Sequence, residues 1–197
     1  MRGAAYALAP IVVSFAATGA LAASPAIVPV PIGSRRLYHP DPNMIRVGAQ
    51  QDVAGLACSR LLGERFGAHL ELFGHGKVVL VPAGIGIAPP LRTDGPFIAD
   101  GACSYPARTR EPTGVIEVAR GPRITLRNFF ALWGQPLDLR RLAGFRAVGS
   151  ERVRAWVNGR RWRSDPGAIS LRPHDEIVLE LGAFVEPHAS YRFRKGL

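Results

Sequence analysis

The sequence predicts an α+β domain in which one helix packs on a mixed sheet, with long irregular loops between the elements. Three observations lead there. Strand-forming runs flank Gly74-His75-Gly76 and again flank Asn158-Gly159, and each is a hairpin signal. The stretch from Thr125 to Trp133 carries its apolar residues at helical spacing. The apolar share is 47% over 197 residues, enough for one ordinary core and too much for a disordered chain.

The chain opens with Met1-Arg2-Gly3, an apolar run from Ala4 to Thr18, and the small-x-small site Ala20-Leu21-Ala22. This is the anatomy of a secretory signal peptide over residues 1–22. Pro10 interrupts the run, and a spanning helix needs about 20 apolar residues. No later segment approaches that length, so no transmembrane segment is expected after the leader. The expected location is periplasmic or extracellular. Residues 23–43 hold Pro25, Pro29, Pro31, Pro40 and Pro42 and read as an extended linker. A single domain is expected over residues 44–197.

Cys58 and Cys103 are the only cysteines. In an oxidising compartment a disulfide between them is the default. The first hairpin runs His69–Phe73 and Lys77–Val81, and Pro82 ends it. Pro89, Pro90, Gly95, Pro96 and Gly101 then mark a long irregular loop. Residues 114–118 read as a strand. In the helix, Thr125 is the N-cap, and Leu126, Phe129, Phe130 and Trp133 form one apolar stripe that belongs in the core. Gly134 and Pro136 stop it. The second hairpin runs 153–157 and 160–163, and residues 175–181 form the last strand.

The basic side chains are 23 Arg and 2 Lys, and the formal net charge is +10. Residues 105–172 hold 14 Arg against 5 acids, so nearly all of the excess sits in one stretch. Export removes nucleic acid as the expected partner. Anionic partners outside the cytoplasm remain: a small anionic ligand, a polysaccharide, lipid headgroups or an acidic protein.

The order hairpin, strand, helix, hairpin, strand resembles a β-grasp domain. So does the tract Trp156-Val157-Asn158-Gly159 followed by Leu171-Arg172-Pro173-His174-Asp175-Glu176-Ile177. A wider set of tracts comprises Gly67-Ala68-His69-Leu70, Val81-Pro82-Ala83-Gly84-Ile85-Gly86-Ile87, Thr113-Gly114-Val115-Ile116 and Phe129-Phe130-x-x-Trp133-Gly134-Gln135-Pro136-Leu137. These are similar to a family of exported, mostly uncharacterised bacterial proteins, and the likeness implies fold and export rather than an activity. In that family the corresponding tracts read H-x-H-A-H-L and L-H-T-H-D-x-x-G-I-I-H. Alternate strand residues share a face, so such histidines imply a transition-metal site.

This chain carries Arg65, Gly67 and His69 in the first tract, and Arg108, Arg110, Glu111 and Glu117 in the second. Arginine cannot coordinate a metal. The expectation is therefore no metal and no cofactor, with the His-rich site replaced by arginine and glutamate. If the positions converge, Arg65, His69, Arg108, Arg110, Glu111 and Glu117 form either a space-filling ion-pair network or an anion pocket. A retained copper or zinc site built on His69 and Glu117 is a further alternative. His39, His75, His174 and His188 read as exposed turn or loop residues.

A second candidate surface lies on the 153–163 hairpin. Cross-strand pairing puts Trp156 opposite Arg161 and Arg154 opposite Arg163, which would make one basic, aromatic face. Val153, Ala155, Val157 and Trp162 take the core side. The sequence has no nucleophile elbow, Walker loop or H-E-x-x-H. The expected function is a non-catalytic binding or accessory domain, with an enzyme of unrecognised class as the remaining alternative.

Overall fold

The computed structural model describes residues 36–41, 52–61, 63–95, 97–186 and 191–197. The leader, most of the Pro-rich stretch, the expected domain start at residue 44 and His188 lie outside the described residues. The strands are β1 (Leu37–Tyr38), β2 (Arg65–Gly74), β3 (Lys77–Val79), β4 (Ile87–Ala88), β5 (Arg92–Asp94), β6 (Phe97–Asp100), β7 (Cys103–Ser104), β8 (Ala107–Arg108) and β9 (Val115–Ala119). After helix α1 (Leu126–Trp133) come β10 (Arg141–Leu142), β11 (Phe145–Arg146), β12 (Arg154–Val157), β13 (Arg160–Trp162) and β14 (Glu176–Leu181).

The main sheet has the order β1-β3-β2-β14-β12-β13, with β9 beside β2 on the same edge as β3 and β8 beyond β9. Its centre is the parallel pair β2 and β14, which sets His69 opposite Glu176 and Phe73 opposite Glu180. The outer edge of β2 is shared. β9 takes residues 65–69 antiparallel, and β3 takes Phe73 and Gly74. The hairpin turns at His75-Gly76 and Asn158-Gly159, where all four residues have positive φ, as a two-residue primed turn requires.

Strand alternation gives the sheet two unlike faces. One face carries Phe66, Ala68, Leu70 and Leu72 of β2, Ile116 and Val118 of β9, and Ile177, Leu179 and Leu181 of β14. The helix lies against it through Leu126, Phe129, Phe130 and Trp133, each no more than 1% exposed. Each such side chain contributes roughly 1.5–3 kcal/mol by burial. Thr125 caps the helix by accepting from the Asn128 amide, and Gly134 closes it at φ 70°.

The opposite face carries Arg65, Gly67, His69, Glu71 and Phe73 of β2, Glu117 of β9, and Glu176, Val178 and Glu180 of β14. It is not solvent. The chain beyond β14 folds back over it. Val185 packs on a second apolar cluster of Phe73, Val78, Trp156 and Val178. Tyr191 and Phe193 lie over β2. A Cβ on Gly67 would stand 2.6 Å from Phe193 Cδ1, so the missing side chain makes room for that ring.

Two expectations are corrected. Leu37 and Tyr38, within the expected linker, form a parallel edge strand against Val78 and Val79. An edge is the position that a Pro-rich segment can occupy. The region read as one irregular loop contains short strand pairs, β4 with β7 and β5 with β6. The Cys58–Cys103 disulfide is present, with Cα atoms 5.7 Å apart. It pins residues 52–61 beside β7, where Ser59 and Ser104 exchange backbone hydrogen bonds. Among the described residues, no helix is long and apolar enough to cross a membrane.

Candidate functional site

The polar face of β2 carries two adjoining clusters. The first is built on Glu117, which β9 places opposite Gly67 and β8 places opposite Arg108. Arg108 Nε donates to Glu117 Oε2 at 2.9 Å, and its Nη2 lies 2.8 Å from the same oxygen. Its Nη1 donates to Ser104 Oγ at 3.1 Å. Both members of the pair are buried. Arg110 Nη1 lies 4.0 Å from Glu117 Oε1, and its Nε donates to the Ile98 carbonyl at 2.9 Å. Arg194 arrives from the covering segment, 3.7 Å from Glu117 Oε1 and 3.0 Å from Glu111 Oε1.

Arg65 turns onto the main chain. It donates to the carbonyls of Tyr105, Pro106 and Glu117 at 3.2–3.4 Å. Burial first, and then the nearby Arg108 charge, lower its pKa to about 10, while Glu117 opposes them. Arg65, Arg108, Arg110, Glu111 and Glu117 thus converge, a question the sequence motifs left open. Apart from Arg65 Nε, which is buried without a hydrogen-bond partner among the described residues, the hydrogen bonds of these guanidinium groups go to protein acceptors, and the cluster ties β8, β9 and the covering segment together.

His69 stands apart from this network. Its Nε2 lies 2.9 Å from the Thr113 carbonyl, which can only accept, so Nε2 carries a proton. Its Nδ1 lies 2.8 and 2.9 Å from the two oxygens of Glu176, so one further proton lies between the ring and that carboxyl group. Tyr191 stacks on the imidazole at 3.8 Å and 15°. Glu71, two residues along β2, completes the cluster: one ligand atom from each of His69, Glu71 and Glu176 lies within 4.8 Å of the others. All three residues are buried. Burial pushes the Glu71 carboxyl up to about 7, with His69 opposing the shift and Glu176 adding to it. A carboxyl group in that range holds its proton well above the usual carboxylate pH. The cluster can therefore store protons or exchange them for a cation.

The alternative His69–Glu117 ligand pair is not formed, because Glu117 is held by arginines. Glu71, Glu176, Tyr191 and Arg194 were missed. Strand alternation alone could have flagged Glu71, which shares a face with His69. Glu176 needed the parallel register of β14, which no local signal carries.

The hairpin surface is also corrected. Trp156 does pair with Arg161, whose guanidinium lies 4.8 Å over the indole. Yet Trp156 is only 7% exposed and belongs to the second apolar cluster. Arg154 is drawn inward, donating to Glu180 Oε2 at 3.0 Å and to the Gly182 carbonyl at 2.7 Å. Arg161 and Arg163 remain exposed, beside Arg152 and Arg160. Val153 and Ala155 are buried, and Val157 and Trp162 pack partly buried against the core, as expected. His39, His75 and His174 are exposed. His75 Nε2 lies 3.2 Å from Glu151, and His174 stacks on Phe193 with ring centres 4.9 Å apart.

No family model, curated protein or solved structure matches this chain.

Proposed function

We propose that the chain is an exported, non-catalytic binding or accessory domain of the β-grasp type, in which the His-rich metal site of similar proteins is replaced by a closed arginine–glutamate clamp. The strand order β3-β2-β14-β12-β13, around a parallel central pair and with one helix between the hairpins, supports the fold reading. The leader and the disulfide support export.

One observation carries the clamp. The guanidinium groups at the substituted positions are directed at Glu117, Ser104 and main-chain carbonyls, while Arg152, Arg160, Arg161 and Arg163 stay exposed on and beside the second hairpin. Binding of an extracellular polyanion then belongs to the exposed set. Retention on a sulfated polysaccharide column tests it. Replacing both Arg161 and Arg163 by alanine should shorten retention, and Arg108→Met should not. Unchanged retention in the hairpin variant would remove that surface from consideration.

The convergence of Arg65, Arg108 and Arg110 favours a second reading, an anion site. Stabilisation of the wild-type chain by millimolar phosphate, lost in Arg108→Met, would support it over the clamp.

A further inference from the structure

Two carboxyl groups and an imidazole, all nine-tenths buried or more, need a compensating charge. Glu117 and Glu180 on the same face obtain it from Arg108 and Arg154. Glu71 and Glu176 lie beside His69 on this face. Their carboxylate oxygens and the imidazole nitrogen are the donor types that a divalent transition cation takes.

The imidazole is oriented as a ligand. Metal-binding histidines donate their other ring N–H to a carbonyl or carboxylate, which fixes the tautomer. Here Nε2–H is held by the Thr113 carbonyl at 2.9 Å, and this aims Nδ1 at the carboxyl groups. The Tyr191 ring closes the imidazole face. The Glu176 backbone N–H donates to the side-chain Oδ1 of Asn158 at 2.8 Å, which fixes the start of β14.

We propose that His69 Nδ1 and the carboxylates of Glu71 and Glu176 form a divalent-cation site for a first-row transition ion of the Zn²⁺ class. One nitrogen and two oxygens suit such an ion, where an all-oxygen set would suit Mg²⁺ or Ca²⁺. Zinc bonds of about 2.0–2.2 Å place tetrahedral ligand atoms about 3.3 Å apart. The observed Nδ1 to Glu176 separations of 2.8 and 2.9 Å need to open by only about half an ångström, and Glu71 is already within 4.8 Å. The ion takes the place of the proton now shared between Nδ1 and Glu176. This site shares only the retained His69 with the family motif positions and goes beyond the clamp reading.

The full chain, stripped with chelator and dialysed, is titrated with Zn²⁺ by calorimetry and with Co²⁺ by visible absorption. The expected result is one ion per chain, with Co²⁺ bands of a four- or five-coordinate nitrogen–oxygen site. Glu71→Gln and Glu176→Gln should each weaken binding by at least about tenfold, and His75→Asn should leave it unchanged. Absence of stoichiometric binding to the wild-type chain would overturn the site. So would equal affinity in the two glutamine variants, because binding would then rest on surface histidines. The wild-type titration decides even if a variant misfolds. Failure here leaves polysaccharide retention untouched, so the two readings fail separately.

Discussion

Replacing Glu117 by glutamine keeps the side-chain shape and removes one charge. In the folded chain that charge faces Arg108 at 2.8 Å, Arg194 at 3.7 Å and Arg110 at 4.0 Å. Arg65 donates to its backbone carbonyl. Glu111, 3.0 Å from Arg194, is then the remaining acid of the cluster. Arg108 is only 8% exposed at its side chain and cannot recover its hydration without opening β8. Removing one partner of a buried pair costs about 3–5 kcal/mol. The low end applies here, because Arg108 keeps Ser104 Oγ and glutamine still offers an amide oxygen. Glu117→Gln should therefore lose about 3 kcal/mol in urea unfolding at pH 7. Combining Arg108→Met with Glu117→Leu removes both charges and should cost clearly less than the two single changes together, since apolar replacement of a whole buried pair is often neutral. Sulfate should partly rescue Glu117→Gln by standing in for the carboxylate, and should do little for the wild-type chain. A loss under about 1 kcal/mol, or strict additivity in the double variant, would refute the clamp.

Glu71 sets a pH dependence in the metal-free protein. Its folded pKa of about 7 lies above the ordinary 4.5, so its contribution is fully present below about 4.5 and is lost as pH rises through about 7. Unfolding in chelator at pH 5 and pH 8 should show a fall of about 2–3 kcal/mol that Glu71→Gln removes; the same fall in the variant would assign it to other groups. Reducing the Cys58–Cys103 bridge, whose cysteines are 45 residues apart, should lower stability by roughly 4 kcal/mol, read from urea midpoints with and without reductant. Gly67→Ala should push Phe193 off β2 and speed tryptic cleavage after Arg192 and Arg194, and an unchanged rate would mean that the ring is held elsewhere.

The helix was legible because its stripe, its Thr125 cap and its Gly134 stop are all local. The hairpins were legible for the same reason, since Asn158-Gly159 and His75-Gly76 carry the positive φ that the turns need. The hairpin surface around Trp156 was misread because alternation distinguishes two faces without saying what covers the second. Arg154 and Trp156 read as outward from the hairpin alone, and only the return of the chain past Phe184 and Val185 makes that side a seam.

The sequence by itself determined that this is an α+β chain with one capped helix and a single cysteine pair. It also marked Arg65, Arg108, Arg110, Glu111 and Glu117 as positions to watch. The helix and the cysteine pair depend on neighbours a few residues apart or on composition, and the marked positions on the resemblance of their tracts to His-rich motifs. The tertiary structure decided which charges meet. The parallel register of β2 with β14 brought Glu176 to His69 across 107 positions, and the covering segment brought Arg194 to Glu117 and Tyr191 to the imidazole. Such pairings follow from the packing of the whole sheet. No periodicity encodes them, because each partner taken alone is an ordinary residue on an ordinary strand.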